Sequence, residues 1–424
     1  MNNSAPVFEP GSIPVVPTGE LTDSGWALAR LNDASDLAAT SYVFPETATP
    51  VRLYLIDTAV SNPSSWFDAN ANLSIAELNT IRSAGDTPGS TYFEHGTKML
   101  SIIAGPESGG ALGTPIELIN YDIYPPNLGG QTTTGRLAAA VNEAWVHHAL
   151  NPGPPGVICI PAGSTTAGVD PILEAAILDA VDEGLTVIVS AGNSDDVAAD
   201  YIPSAYGSND GVICVGATDT SNDKLDVSNF GSAVDFYSPG ENVRTMDFAT
   251  PAPGNYDDSY GTSPATALAT AAALANLSLN PDFTPAELET ALTEGAFEGS
   301  EAIVQLPPSD SDGDGRHDLV ESFFGSDPLD ASDQPASPTV ATSSTAASID
   351  MNFTVDASRF NPADPYTLTD GTTWKVLSSS NLDSWGDATG TLSVGSTSGG
   401  KTNLTFTASA SGTATFLRIE INEP

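Results

Sequence analysis

The sequence predicts an α/β fold with a doubly wound parallel sheet, followed by a smaller β-sandwich. Between about residues 50 and 300, short runs of aliphatic and β-branched residues alternate with stretches of helical periodicity. Near-continuous apolar runs are typical of parallel strands buried on both faces, and repeated alternation of strand and helix builds such a sheet. Residues 350–424 contain Ser-, Thr- and Gly-rich runs of alternating polarity, which indicate antiparallel strands.

Five strands and three helices follow from these patterns. The predicted strands are 51–57, 116–124, 156–160, 185–192 and 211–217, and the predicted helices are 136–150, 171–184 and 284–292. The last helix opens with Thr284, Pro285 and Glu287, a capping box with proline at the first helical position. Ligands of a doubly wound sheet bind at the carboxyl ends of its strands. Functional residues are therefore expected directly after the strands.

The composition changes abruptly after the last predicted helix. Residues 304–334 are acidic and punctuated by glycine, and residues 335–349 form a linker rich in Pro, Ser, Thr and Ala. We therefore divide the chain into an α/β domain over 1–303, the acidic segment, the linker, and a small β-sandwich over 350–424.

The negative charge of the chain argues against some classes of function. Its 424 residues carry 12 Lys and Arg against 54 Asp and Glu, a formal net charge of −42, with 40% hydrophobic residues. Tight binding to nucleic acid or anionic lipid depends on Lys and Arg, so we expect no nucleic-acid partner and no membrane partner. The first residues lack the basic and apolar regions of a signal peptide, which predicts a mature form. Cys159 and Cys214 lie in short apolar runs and are expected to be buried free thiols.

Four motifs contain the residue types that acyl transfer to water needs. Asp57 ends VRLYLID, His95 begins HGT, Asn193 follows LTVIVSAG, and Ser263 lies in GTSPA before an Ala-rich helix. A serine hydroxyl is a weak nucleophile until a base removes its proton, and a histidine base needs a carboxylate behind it. All three types are present. The start of a helix also favours a nearby negative charge, which suits the position of Ser263.

These motifs resemble those of the subtilase family of serine proteases over residues 24–300. LIDT, HGT, SAGN and GTSPA match the family's Asp, His, oxyanion and Ser motifs in order, and SNFGSAVDFYSPG at 228–240 matches a further family stretch. SGWALARL at 24–31 is similar to the start of the proteinase K-like branch. The resemblance implies that Asp57 orients His95, the general base and then acid, and that Ser263 is the nucleophile. It also implies that Asn193 donates to the oxyanion together with the Ser263 backbone N–H.

The resemblance implies substrate contacts as well. Glycines 129 and 130 would let substrate backbone lie against a strand edge, and the primary specificity pocket would lie between 161–163 and 190–194. The expected substrate-binding residues are Gly129, Gly130, Pro161, Ala162, Gly163, Ala191 and Gly192. Such small residues predict entry of apolar or aromatic P1 side chains. Asp195 and Asp196, expected at the rim, predict some tolerance of Lys or Arg.

Several positions depart from the family pattern without removing a catalytic group. Ala59 replaces a usual Gly, Lys98 replaces the second His of HGTH, and Pro264 and Ala267 stand where the family has Met and Pro. Pro161 lies where a family strand pairs with substrate backbone, and proline cannot donate to such a pairing. We therefore expect substrate binding to depart from the family more than the chemistry does.

A second signal is a calcium loop. Its residues fit the pattern D-x-D-x-D-G-x-x-D-x-x-E, the spacing of a twelve-residue Ca²⁺ site. The expected ligands are Asp310, Asp312, Asp314, the Arg316 carbonyl, Asp318 and Glu321. The loop resembles thrombospondin type 3-like or dockerin-like motifs, and the alternative is a solvated acidic linker. By the family resemblance, Asp235 would bind another Ca²⁺ with backbone carbonyls near Asp210 and Val212.

The sequence therefore predicts a secreted, calcium-stabilised, subtilisin-like serine endopeptidase that acts as a monomer on protein or peptide substrates. Secretion is inferred because millimolar calcium and free protein substrates are extracellular conditions. One alternative is a peptide ligase or macrocyclase of the same fold, which would exclude water from the acyl-enzyme. No inserted helical lid is evident near Ser263, which counts against it. The other alternative is a catalytically silent peptide-binding protein.

Overall fold

The structure is a computed structural model. It describes residues 18–22, 24–32, 34, 37–80, 94–124, 131–164, 167–298, 300–306, 339–342, 348–357, 360–361, 364–368, 373–379, 386–398, 401–409 and 416–422. These residues form two compact units that divide near residue 307. The finer division of the chain into four segments stays a prediction.

The first unit, here called the α/β unit, contains the predicted alternation of strands and helices. Its strands are β1 Thr18–Leu21, β2 Tyr42–Pro45, β3 Val51–Asp57, β4 Leu73–Thr80, β5 Ile116–Asp122, β6 Gly156–Ile160, β7 Thr186–Ser190, β8 Val212–Thr218, β9 Phe236–Pro239, β10 Val243–Met246, β11 Tyr256–Ser259, β12 Phe297–Glu298 and β13 Ala302–Ile303. Its helices are α1 Trp26–Ala29, α2 Glu94–Ala104, α3 Thr134–Leu150, α4 Pro171–Asp182, α5 Thr262–Leu279 and α6 Pro285–Glu294.

A nine-stranded sheet in the order β12-β13-β9-β8-β7-β6-β3-β5-β4 organises this unit. The pairings within it are parallel except the one between β12 and β13. The strand order reverses at β3, because β5 lies on one side of it and β6 on the other. Such a reversal is the point at which doubly wound sheets bind ligands. Asp57 ends β3 at this point, and the predicted fold class is confirmed.

Side chains of β3 alternate between two hydrophobic cores. Leu53 and Leu55 belong to the core that also contains residues of α2, α5 and α6, whereas Tyr54 and Ile56 belong to the core that contains residues of α3 and α4. Every residue of β3 is buried, as its near-continuous apolar run predicted. Helix α5 is buried around almost its whole circumference, so the residues at its start are held firmly.

The predicted elements agree with the structure to within two residues at each end. Thr284 caps α6, and its side chain and that of Glu287 form the predicted capping box. Cys159 and Cys214 are buried free thiols, and burial raises the pKa of Cys159 to about 12. Within the described part of the chain, no helix combines the length and apolar character that crossing a membrane requires.

The second unit is a small antiparallel sandwich. Its strands are β14 Thr339–Thr342, β15 Ser348–Asp356, β16 Thr373–Ser379, β17 Gly386–Asp387, β18 Gly390–Ser398, β19 Lys401–Ser409 and β20 Phe416–Asn422. They form two sheets, in the orders β14-β15-β19-β18 and β17-β16-β20. Phe353 and Phe406 from one sheet pack with Trp374 and Val376 from the other, which makes the core that the alternating pattern predicted.

Candidate active site

The predicted catalytic aspartate and histidine are in direct contact. Asp57 is fully buried at the end of β3, and His95 is the second residue of α2. His95 Nδ1 lies 2.8 Å from each carboxylate oxygen of Asp57. Because an ionised carboxylate only accepts hydrogen bonds, Nδ1 carries the donated proton and Nε2 is left as an acceptor. This is the tautomer that a general base needs.

The charges around His95 favour its protonated form. Burial lowers the pKa of the imidazole, but the charge of Asp57 and the hydrogen bond to it outweigh burial, so the pKa of His95 is raised above its ordinary value. The Lys98 ammonium lowers this pKa and the Glu94 carboxylate raises it, each to a smaller extent. The His95 side chain is 44% exposed, so a substrate can reach it.

Two reciprocal contacts fix the start of α2 against the loop after β3. The Gly96 N–H donates to Thr58 Oγ1 at 2.7 Å, and the Ser61 N–H donates to Thr97 Oγ1 at 3.0 Å. A Cβ atom on Gly96 would lie 2.5 Å from the Thr58 carbonyl oxygen, so this close approach requires glycine. The Gly and Thr of HGT therefore hold His95 beside the aspartate.

Asn120 supports the same loop from the neighbouring strand β5. Its side chain is buried; Oδ1 accepts from the Val60 N–H at 3.0 Å, and Nδ2 donates to the carbonyls of Leu55 and Thr58 at 3.0 and 3.2 Å. The amide thus uses both of its ends to shape the chain around Asp57. No local pattern in the sequence marks Asn120, because its role depends on contacts with residues some 60 positions away.

Asn193, the predicted oxyanion donor, is hydrogen-bonded to the residue before the predicted nucleophile. Asn193 Oδ1 accepts from the Thr262 N–H at 2.9 Å and from Thr262 Oγ1 at 3.1 Å. These two bonds occupy the amide oxygen and leave the NH₂ group as the donor. Ser263 is partly exposed in the first turn of α5, after Gly261 with φ +107°. The two bonds to Thr262 place Asn193 beside the start of α5, and α5 packs against α2, which carries His95.

The buried side chain of Asn229 is hydrogen-bonded to loop 191–196, which contains the predicted oxyanion donor Asn193. Asn229 Oδ1 accepts from the N–H groups of Ser194 and Asp196 at 2.9 and 3.2 Å, and Nδ2 donates to the Ala191 carbonyl at 2.8 Å. Gly192 has φ +102°, and a Cβ there would lie 2.5 Å from Asn229 Nδ2. The SNFG stretch resembles the family pattern, but no role for Asn229 was predicted from it. The family resemblance of this stretch was the available signal, because the hydrogen bonds of Asn229 to loop 191–196 become visible only in the fold.

The comparison with known proteins agrees with this geometry. A family model described as the subtilase family matches residues 51–326, which is more than half of the chain. The chain belongs to the subtilase family.

Individual relatives of this subtilase are distant. An extracellular serine proteinase of Thermus sp. (strain Rt41A) is 27% identical over 267 residues, which cover 63% of this chain and 60% of the relative. Alkaline serine exoprotease A of Vibrio alginolyticus is 27% identical over 278 residues, which cover 66% of this chain and 48% of the relative. The crystal structure of a cold adapted subtilisin-like serine proteinase matches with a TM-score of 0.56 and 23% identity, over 68% of this chain and 100% of that chain. The chain thus spans about half to three fifths of the length of these two curated relatives, and the solved structure supports the fold.

The predicted substrate segment of this subtilase after β6 lies next to the one after β7. Pro161, Ala162 and Gly163 follow β6 directly, and Pro161 is buried whereas Gly163 is exposed. Gly129 and Gly130 lie outside the described residues. The substrate-binding roles of these positions stay predictions.

The two acids after the oxyanion asparagine already have partners. Lys224 Nζ lies 2.8 Å from Asp195 Oδ1, and Tyr201 donates to Asp196 Oδ2 at 2.9 Å. Lys224 also lies 5.5 Å from the centre of the Phe230 ring. Lys224 therefore balances the charge of Asp195, and the expected tolerance of Lys or Arg at P1 stays a prediction.

Of the two predicted calcium sites, the loop at 310–321 lies outside the described residues. Asp235 Oδ2 accepts from the Cys214 N–H at 2.7 Å. Burial raises the pKa of Asp235 to about 7; the Cys214 bond opposes this rise and the Glu289 carboxylate adds to it. Asp235 is partly buried and feels the charge of a second carboxylate, and carboxylate oxygens are ligands that a hard divalent cation prefers. The described residues hold no group of three or more His, Cys, Asp or Glu that could bind a metal, so carbonyls would have to complete the shell.

Proposed function

We propose that this subtilase is a secreted serine endopeptidase that cleaves protein or peptide substrates through an acyl-enzyme. One observation carries the proposal: His95, which contacts Asp57, lies on the helix that packs against α5, and at the start of α5 Asn193 is bonded to the residue before Ser263. Serine proteinase names among its relatives support the same chemistry. The name of the Thermus relative also supports secretion.

Acylation would use each of these groups once. His95 Nε2 takes the proton of Ser263 Oγ as Oγ forms a bond to the scissile carbonyl carbon. The carbonyl oxygen gains the negative charge, and the Asn193 NH₂ and the Ser263 backbone N–H donate to it. When the tetrahedral species collapses, the C–N bond breaks and the amine leaves with the proton from His95.

Deacylation would repeat the cycle with water as the nucleophile. His95 takes a proton from water, the hydroxide oxygen bonds to the acyl carbon, and Ser263 leaves with that proton. Asp57 keeps its negative charge throughout and stabilises the imidazolium that forms in both halves. Ser263 is the second residue of α5, so the dipole of this helix also favours the developing oxyanion.

We further propose that calcium stabilises the protein and that the chain belongs to the proteinase K-like branch. Asp235 with nearby carbonyls would hold one Ca²⁺, and the thrombospondin type 3-like loop at 310–321 would hold another. When bound, the ion would supply positive charge that compacts clustered oxygens; it has no part in the acyl-transfer steps. We also propose that the protein acts as a monomer, since all residues of the proposed site come from one chain.

Cleavage of a peptide library by the full chain tests the proposed function. Internal cuts, read by mass spectrometry, with an apolar or aromatic P1 preference are the expected result. Ser263→Ala should remove essentially all turnover, and a serine-directed phosphonylating reagent should label Ser263 alone. Label on another residue would overturn the assignment, and strict preference for acidic P1 residues would contradict the pocket.

The same experiment separates the two alternatives. A ligase would join added amine nucleophiles to the acyl group in preference to water, so ligated products would exceed hydrolysed ones. A silent binding protein would bind peptides without releasing products and would not react with the phosphonylating reagent.

A further inference from the structure

Lys98 lies one helical turn after His95 and holds two carboxylates. Its Nζ is 2.8 Å from Glu94 Oε1 in the same helix and 2.6 Å from Asp257 Oδ2 in β11. The Lys98 side chain is only 13% exposed, whereas those of Glu94 and Asp257 are about half exposed. A mostly buried ammonium between two carboxylates is held more rigidly than a surface ion pair.

Asp257 belongs to the strand that leads into the nucleophile. Strand β11 ends at Ser259, and α5 begins at Thr262, so only a short connection separates the two elements. The β10–β11 hairpin also contacts α2 and the turn after it: the Met246 N–H donates to Ser101 Oγ at 3.2 Å, and the Gly254 N–H donates to Glu107 Oε2 at 3.0 Å. The Lys98 contact is the one nearest to His95 along α2.

We propose that Lys98 is a positioning residue whose contact with Asp257 fixes the segment leading to Ser263 against the helix that carries His95. This inference rests on the proposed function. Lys98 acts through the two elements that it joins. Lys98 stands where the family's HGTH pattern has its second histidine, so the contact with Asp257 is not part of that pattern.

The charge of Lys98 has a second consequence. His95 is surrounded by Asp57, Glu94 and Lys98, and of these only Lys98 opposes protonation of the imidazole through its charge. Lys98 in turn is faced by Glu94 and Asp257, and it acts electrostatically on Asp247. Removing the ammonium therefore raises the pKa of His95, and the base loses its proton-accepting form at a higher pH.

The test compares Lys98→Met, Lys98→Arg and Asp257→Asn with the wild type, and uses Lys401→Met from the second unit as a control with the same charge change. Lys98→Met and Asp257→Asn should each lower kcat by about tenfold with little change in KM, since misplacement affects the reacting geometry more than substrate binding. The double variant should be no worse than either single one. Lys98→Arg should restore most of kcat, and Lys401→Met should match the wild type.

A pH profile separates positioning from a general loss of structure. Lys98→Met should move the acidic limb of kcat/KM to higher pH, whereas Asp257→Asn, which keeps the ammonium, should not. Unchanged kcat and an unchanged acidic limb in Lys98→Met would overturn the inference, as would strict additivity in the double variant. Thermal unfolding of each variant confirms that it is folded.

Failure of the proposed function has a different signature. If the folded wild type cleaves nothing, the endopeptidase proposal fails, and NMR titration of His95 then decides the inference without turnover. The chain has four histidines, so the His95 signal can be assigned by its loss in His95→Ala. A higher His95 pKa in Lys98→Met than in the wild type supports the inference, and equal values overturn it.

Discussion

Replacing Asn229 by alanine should strongly lower kcat, although the hydrogen bonds of its side chain go to backbone groups of a loop. Its amide makes three hydrogen bonds to loop 191–196, two as acceptor and one as donor. Alanine leaves two N–H groups and one carbonyl of the loop without these partners. Asn193, which lies within this loop, then loses the support that aims its NH₂ group at the oxyanion.

The size of the effect follows from the three bonds. At about 1 kcal/mol for each, the loop loses about 3 kcal/mol, which corresponds to roughly 150-fold in an equilibrium or a rate. Loss of an oxyanion donor itself costs about 10²–10³ in kcat. We therefore expect Asn229→Ala to lower kcat by about a hundredfold with little change in KM, because the preorganised donor acts in the transition state.

Steady-state hydrolysis of a chromogenic peptide measures this prediction, and Asn70→Ala is the matched control. Asn70 is also buried and also holds a loop, since Nδ2 donates to the Ala104 carbonyl and Oδ1 accepts from the Asn72 N–H. Asn70→Ala should lower the melting temperature and leave kcat unchanged. Asn229→Asp keeps the two acceptor contacts and should fall between wild type and alanine. A kcat for Asn229→Ala within threefold of wild type would refute the reasoning.

Three further predictions concern the base, the oxyanion and calcium. Because the pKa of His95 is raised and only its neutral form accepts a proton, kcat/KM should fall below a midpoint above about 6.5; a flat profile between about pH 5 and 9 would argue against this base. Asn193→Ala should lower kcat by about 10²–10³ with KM little changed, and an equal rise in KM would point to substrate binding instead. Chelation should make residues 306–349 newly cleavable in limited digestion, since a bound ion at a hundredfold excess over Kd contributes about 2.7 kcal/mol. Identical cut sites and rates with and without calcium would show that the loop binds no structural ion.

The central strands could be predicted because burial on both faces leaves a local signature. VRLYLID and GVICI are nearly continuous apolar runs, and both match the observed strands residue for residue. Strand β4 was not predicted, because LSIAELNT at the sheet edge mixes polar and apolar residues. The β10–β11 hairpin was also not predicted, because YDDS is exposed and has no apolar periodicity.

The proposed catalytic residues could be located in the sequence for a different reason, since each stands at a strand end or helix start within a recognisable motif. Their supporting residues could not. Asn120 and Asn229 are asparagines in ordinary local sequence, and their functions depend on carbonyls and N–H groups brought near by the fold. The contact of Lys224 with Asp195 was not foreseen either, and the expected tolerance of basic side chains stays a prediction. Long-range polar contacts of this kind leave no local pattern to find.

The two lysines of the α/β unit offset part of the chain's negative charge next to the proposed active site. The chain has 54 acidic residues against 12 basic ones, and an acidic side chain left unbalanced near the site would raise the pKa of a nearby histidine or repel an oxyanion. The chain has only four lysines, and the two in the α/β unit, Lys98 and Lys224, each contact a carboxylate beside a catalytic segment. Lys98 does so beside the base and Lys224 beside the oxyanion loop. Salt screens the exposed carboxylates elsewhere on the surface, but it screens the 13% exposed Lys98 ammonium much less. The charge balance beside His95 therefore depends less on ionic strength than the repulsion between surface carboxylates does.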